Sequence, residues 1–327
     1  MILGIESSCD ETAIALLSDG TIIDEQVASQ VRAHAKHGGV VPELAARMHV
    51  EAIHPLLERS QKEANWSYAD LSKIAVTVGP GLETALLVGT TVAQTLGMAL
   101  GIPVVGVNHL HGHIYSSFLS DPAPEYPFVA LLVSGGHSML IHVKAAGDFE
   151  VLGQSVDDAC GEAFDKVARL LELGYPGGPK IEAAAKDGRE DAIAFPRPML
   201  KDGLRFSFSG LKTAVRQYLA KEEADSREIN VADVAASFQA AVRDVLVHKA
   251  IQACEQVNSK CLVMVGGVAA NQCIRDAMER NCAEQGIQFL TVPRQWCTDN
   301  AAMIAKAAEM LDGITDYELK VHPSFFL

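Results

Sequence analysis

The sequence predicts an α/β protein in which one plan is written twice, giving two lobes of mixed sheet flanked by helices. Two βαβ stretches share a layout. In the first, strand Ile74 to Val78 leads into Gly79-Pro80-Gly81, an uncharged helix, Gly101-Ile102 and strand Val104 to Val107. In the second, Leu262 to Val265 leads into Gly266-Gly267, a helix from Asn271, Gly286-Ile287 and strand Gln288 to Val292. Gly79 and Gly101 are 22 residues apart, Gly266 and Gly286 20. A three-stranded meander precedes each stretch, and 327 residues suffice for two cores.

The first meander is Ile2 to Glu6, Thr12 to Leu17 and Thr21 to Val27, with Ser-Ser-Cys-Asp and Ser-Asp-Gly between them. A helix over Val41 to Gln61 follows, opened by Gly38-Gly39 and Pro42. The second meander is Phe128 to Val133, Ser138 to Val143 and Phe149 to Leu152. Helical segments Asp158 to Leu173 and Lys180 to Lys186 then flank Tyr175-Pro176-Gly177-Gly178-Pro179. The Pro-rich stretch Ser120 to Glu125 marks the boundary. The expected division is an N-terminal lobe 1–122, a C-terminal lobe 123–312 with an insertion at 194–216, and a tail 313–327.

Composition narrows the function. A net charge of −14 opposes broad electrostatic capture of nucleic acid, so any RNA contact must be local or supplied by a partner. Seven cysteines without a CxxC pair make a poor disulfide framework, and the N-terminus lacks a basic leader region, which together point to the cytoplasm. Thr84 to Asn108 carries no charge, but its threonines, glycines and Pro103 divide it into a buried helix and strand, and no membrane association is expected.

Several motifs could carry chemistry. His109 and His113 follow the first βαβ unit at i, i+4 spacing, which puts both on one helical face, and Asp299 stands at the matching station of the duplicate. Two histidines and a carboxylate make a metal set with open coordination positions, expected to face one cleft; ordinary polar histidines are the alternative. His111 falls off that face. Ser134-Gly135-Gly136 can be a backbone nest for an anion or a plain hairpin turn, with Ser7 to Glu11 its glycine-free counterpart. Gly266-Gly267 allows a phosphate or flat ring to approach the following helix, and Asn271 can cap that helix or bind a ligand hydroxyl. Asp165, one turn beyond Gly161, could bind sugar hydroxyls. Arg197, Lys201, Arg205, Lys212 and Arg216, interleaved with Phe206 and Phe208, form the best local RNA-backbone candidate, with a solvated face as the alternative. No GxSxG, HExxH or P-loop is present.

The ordered set Ile5 to Thr12, Gly38 to Glu43, Gly79 to Leu82, His109 with His113, Leu132 to His137, Gly161 to Lys166, Tyr175 to Pro179, Phe195 to Pro198, Phe206 to Lys212, Gly266 to Val268 and Cys297 to Asn300 resembles the TsaD family of tRNA N6-adenosine threonylcarbamoyltransferases. The resemblance spans nearly the whole chain. It implies an actin-like, sugar-kinase-like ATPase fold with a central cleft, and transfer of a threonylcarbamoyl group from threonylcarbamoyl-adenylate to N6 of the adenosine beside the anticodon of tRNAs reading codons that begin with A. It implies one divalent ion, iron or zinc, on His109, His113 and Asp299, and the adenylate on Leu132, Val133, Ser134, Gly135, Gly136, Asp165, Gly178 and Asn271. It also implies a TsaB-like inactive paralogue, a TsaE-like ATPase and a separate synthase supplying the adenylate. The chain departs from the family in having His111 where many members carry Glu, and Glu83-Thr84 where a small residue and Gly are usual.

Because a carbamoyl-adenylate is already an activated acyl donor, no protein nucleophile is needed, and positioning with Lewis-acid assistance would supply the rate. Glu11 and His137 are the candidates to take the N6 proton. The alternative function is an ATP-dependent small-molecule kinase of the same fold.

Overall fold

A computed structural model describes residues 1–311, 314–315 and 319–324. Two compact units emerge, Met1–Ala123 with Thr298–Leu327, and Pro124–Cys297. In the first, strands β1 (Ile2–Glu6), β2 (Glu11–Ser18), β3 (Thr21–Ser29), β4 (Lys73–Gly79) and β5 (Val104–Asn108) order as β5-β4-β1-β2-β3. In the second, β6 (Phe128–Val133), β7 (Ser138–Ala145), β8 (Asp148–Gln154), β9 (Cys261–Val265) and β10 (Gln288–Thr291) order as β10-β9-β6-β7-β8. The orders correspond strand for strand. In both, the meander is antiparallel and the βαβ strands run parallel to its first strand. A short β11 (Ile314–Thr315) adds antiparallel to β5. This is the duplicated α/β plan the sequence predicts.

Burial explains the pattern. β6 and β9 are buried along their whole length and read as continuous apolar runs, as parallel strands covered on both faces must. β3 and β8 lie at the sheet edges and mix exposed with partly buried positions, the exposed ones including Asp148 and Glu150 on β8. The helices of the first unit are α1 (Val31–Ala35), α2 (Pro42–Ala64), α3 (Glu83–Leu100), α4 (His109–Tyr115) and α10 (Ala301–Met310). The second unit holds α5 (Cys160–Leu170), α6 (Gly177–Ala185), α7 (Ser209–Ala224), α8 (Val231–Val257) and α9 (Gln272–Glu284). No helix among the described residues is long and apolar enough to cross a membrane.

Three expectations need correction. The lobe expected over 123–312 ends at Cys297, because α10 buries Ala301 to Ala308 in the first unit and lies across β1, β2 and β4. Gly4 on β1 makes this possible: a Cβ there would collide with the Ala301 carbonyl oxygen. The stretch expected as an insertion is irregular only as far as Phe208, and then becomes α7. Phe206 and Phe208 are fully buried and stacked with ring centroids 6.1 Å apart, so they are core residues and not faces for RNA bases. Of the expected tail, residues 313, 316–318 and 325–327 lie outside the described residues. Within the part described, His322 N–H donates to the Val78 carbonyl at 2.7 Å.

His49 on α2 is fully buried, with Nδ1 2.7 Å from the Thr12 hydroxyl and Nε2 3.0 Å from the Cys9 carbonyl. That pairing fits the neutral ring with its proton on Nε2, and burial lowers the pKa below the ordinary histidine value.

Gly4→Ala should lower the unfolding free energy by about 1–3 kcal/mol, read from the urea midpoint, by forcing α10 off the sheet. His49 leaves stability independent of pH above the unfolded value of about 6.5, but below it the unfolded chain takes up a proton the fold refuses. Stability should therefore fall from pH 7 to pH 5, and fall less in His49→Gln.

Candidate functional site

The first unit builds its site at the end of β5. The Asn108 side chain caps α4 by accepting from the Leu110 N–H at 2.8 Å, so His109 is the first helical residue and His113 sits one turn later on the same face. Their rings meet edge to face with centroids 4.7 Å apart. Asp299 precedes Asn300, whose side chain caps α10 by accepting from the Met303 N–H at 2.9 Å. Gly112 lets α4 approach α10, since a Cβ there would press on Ile304 and Met303. Asp299 Oδ1 lies 3.5 Å from His109 Nε2 and 3.2 Å from His113 Nε2. One ligand atom from each of the three residues falls within 4.8 Å of the others.

Behind this group stands Glu6, which no sequence motif singles out. Fully buried at the end of β1, it has Oε2 3.1 Å from His109 Nδ1 and accepts the Thr77 hydroxyl at 2.6 Å and the Ser8 N–H. Burial alone would raise its pKa, but His109 beside it brings it below the usual carboxylate value. The same balance holds Asp299 low, burial being outweighed by His109 and His113. Burial opposes the charge on His109, yet Asp299 and Glu6 push its pKa well up. The hint of Glu6 in the sequence is an acidic residue closing an apolar strand.

His113 is completely buried, and neither ring nitrogen makes a hydrogen bond; Asp299 Oδ1 is near Nε2 but not in hydrogen-bonding geometry. Two orphaned nitrogens in a buried ring call for an explanation, and an ion is one. A His, His, Asp donor set aimed at one point suits a divalent transition metal with open positions. His111 is off that set, and burial lowers its pKa to about 4.

Ser7 to Glu11 runs beside this centre. Ser7 Oγ donates to the Ala85 carbonyl at 2.9 Å, and the Leu82 N–H donates to the Ser8 carbonyl at 2.8 Å, fixing the loop on the start of α3. Glu83, where the family pattern differs, is exposed at the first position of α3. Glu11 accepts from the Ser29 hydroxyl at 3.2 Å, and burial first, then the charges of Asp10 and Asp299, push its pKa to about 9.

In the second unit the predicted nucleotide residues gather at the carboxyl ends of β6 and β9, which are parallel. Ligands in open α/β sheets characteristically bind there. The hairpin tip is closed by the Ser134 N–H donating to the His137 carbonyl at 2.8 Å. Gly161 at the start of α5 packs on Ser134 and Gly135, while Gly266, at φ +93°, packs on the Val133 backbone. Gly177 packs on Phe164 and Asp165, and its N–H donates to Asp165 Oδ1 at 2.6 Å. By contrast, Gly135, Gly136, Gly178 and Gly267 face open space, leaving a floor of backbone.

Some predicted residues have other duties as well. Leu132 and Val133 side chains are in the core, so only their backbone is available. Asn271 caps α9, Oδ1 accepting from the Ile274 N–H at 3.1 Å and Nδ2 donating to Gln239 Oε1 at 2.8 Å. Gly177 is legible in the sequence only as a member of a Gly/Pro-rich run, and Gly161 only as a lone glycine ahead of Asp165, although both hold the loops together. The expectation that the duplicate's lobe supplies the closing carboxylate is corrected: His109, His113 and Asp299 all belong to the first unit, because α10 does.

A family model described as tRNA N6-adenosine threonylcarbamoyltransferase, TsaD, matches residues 21–306. A tRNA N6-adenosine threonylcarbamoyltransferase of Clostridium botulinum strain 657 is 51% identical over 309 residues, covering 94% of this chain and 91% of that protein. One of Clostridium perfringens is 48% identical over 332 residues, covering 100% and 98%. Among solved structures, HypF of T. kodakarensis aligns with TM-score 0.60 at 15% identity, covering 94% of this chain and 46% of that one. The activator of the 2-hydroxyisocaproyl-CoA dehydratase of Clostridium difficile aligns with TM-score 0.54 at 14% identity, covering 96% and 99%. At such identities these two likenesses speak to the fold, which is that of the actin-like ATPases. The match along the whole chain identifies it as a member of the TsaD family of tRNA N6-adenosine threonylcarbamoyltransferases.

Proposed function

We propose that this chain transfers the threonylcarbamoyl group of threonylcarbamoyl-adenylate to N6 of the adenosine next to the anticodon in tRNAs that read codons beginning with A. The observation that carries this reading is the convergence of buried His109 and His113 with partly buried Asp299, the two His113 ring nitrogens making no hydrogen bond, in a chain that matches the transferases end to end. The kinase alternative is not favoured, since paired histidines are poor ligands for the magnesium that phosphoryl transfer uses.

In the transfer, the N6–carbonyl carbon bond forms and the bond from that carbon to the phosphate oxygen breaks. AMP leaves with the electron pair, and the N6 proton passes to a base or to a phosphate oxygen. The chain's residues bind and orient the donor. Open space lies beside Gly135, Gly136 and Gly178, where their backbone N–H groups would meet its acyl and phosphate oxygens. Asp165, fixed by Gly177, would accept from a ribose hydroxyl, and the Asn271 amide has a second N–H. Glu11 and His137, the latter at the hairpin tip, are the two candidates to accept the N6 proton.

His109, His113 and Asp299 would hold one divalent ion, iron or zinc, which would supply a Lewis acid for the oxygens of the donor. Glu6 holds His109 by Nδ1, so Nε2 is the nitrogen presented to an ion. tRNA is the expected macromolecular substrate. A TsaB-like paralogue, a TsaE-like ATPase and a synthase for the adenylate complete the proposed pathway.

Metal titration of the chelator-stripped chain with Zn²⁺ or Fe²⁺ should give one ion per chain, none with His113→Ala, and about 10–100-fold weaker binding with Glu6→Gln. Incubation with its partner proteins, threonine, bicarbonate, ATP and unmodified tRNA, followed by nucleoside digestion, should yield threonylcarbamoyladenosine. Failure with active partners, or full activity of His113→Ala, would refute the function or the metal's part in it, respectively.

A further inference from the structure

An open groove of about 210 Å³ runs between α5 and α7, lined by Lys166, Arg169, Leu170, Lys212, Thr213 and Arg216. Four cations in one groove stand out on a chain whose net charge is −14. Spacings of i, i+3 on α5 and i, i+4 on α7 put each pair on one helical face. Asp158 organises the centre: its two oxygens each lie 3.0 Å from a lysine Nζ, one from Lys166 and the other from Lys212. Lys166 also pairs with Glu162 at 2.7 Å, so the two lysines meet two carboxylates, and Arg216 leaves the groove a positive excess. Arg169 and Arg216 are exposed on its rim, and Leu170 contributes an apolar wall.

We propose that this groove binds the phosphodiester backbone of tRNA. The inference rests on the function proposed above and assigns part of the substrate's docking surface. An acidic chain repels a polyanion overall, so contact must occur where the local field reverses, and backbone phosphates are what lysine and arginine side chains recognise without reading sequence. Burial of Phe206 and Phe208 removes base stacking from the same region, which leaves phosphate contact as its chemistry. The structure also shifts the surface from the position the basic run suggested. Arg197 is tied to Asp244 at 2.7 Å, while Lys212 and Arg216 of α7 join Lys166 and Arg169 of α5.

The test compares the full chain with Arg169→Glu/Arg216→Glu and with Arg280→Glu, an exposed control on α9, in binding unmodified tRNA across a KCl series. Both substituted positions are exposed, and an unchanged thermal melt checks folding. The double variant should raise the dissociation constant at least about tenfold, and should flatten the salt dependence by about 0.7–0.9 for each phosphate that is no longer neutralised. The control should match the parent chain. In the transfer assay the KM for tRNA should rise, with kcat at saturating tRNA within about twofold. Unchanged affinity and salt slope would overturn the proposal, as would displacement of tRNA by sub-millimolar inorganic phosphate, the mark of a small-anion site. A parent chain that binds tRNA through this groove but forms no threonylcarbamoyladenosine would instead count against the proposed function.

Discussion

The His109, His113 and Asp299 group follows from how α10 seats on the first sheet. Gly4 removes the side chain that would hold the helix away from β1, and Gly112 removes the one that would hold it away from α4. With both contacts made, the cap of α10 places Asp299 Oδ1 within 3.5 Å of both imidazoles. Neither glycine touches the ligand atoms, yet each sets how closely the elements bearing them approach. Close packing makes such positions intolerant of even one added methyl group.

Electrostatics then gives the centre its character. Glu6, His109 and Asp299 form a chain of alternating charge, the first two buried and Asp299 partly exposed, and removal from water works against every member of it. Breaking a buried ion pair by removing one partner typically costs about 3–5 kcal/mol, so the three residues stand or fall together. Glu6 is itself secured by Thr77 and the Ser8 N–H, which ties β4 and the Ser7–Ser8 loop into the same network. His113 is the exception, buried without a hydrogen bond, and that imbalance is what suits the group to an ion and sets it apart from a structural salt bridge.

The two sheets keep one strand order but have been put to different uses. The first unit fills its loop with Ser7 and Ser8, which lock onto α3 through the Ser7 hydroxyl and the Ser8 carbonyl. The second has glycines at the corresponding tip, where backbone stays open. Side chains that fill space suit an ion held by few, fixed ligands. Bare backbone suits a flat or phosphorylated ligand that needs close approach.

The repeat, the strands of both meanders and the residue types of the site are readable in the chain alone. Period-2 strands, apolar parallel runs and Gly-bounded turns are local properties. The common face of His109 and His113 is readable too, because helical spacing is local. It took the packed molecule to show that Asp299 belongs to the first unit, that Glu6 backs His109, and that Phe206 and Phe208 are core. The helix α8 was equally invisible, since burial around most of its surface erases the amphipathic period that would reveal it. In each case the deciding fact is which distant segment packs alongside, and that is set by the shape and burial of whole elements, not by the residues on either side in the chain.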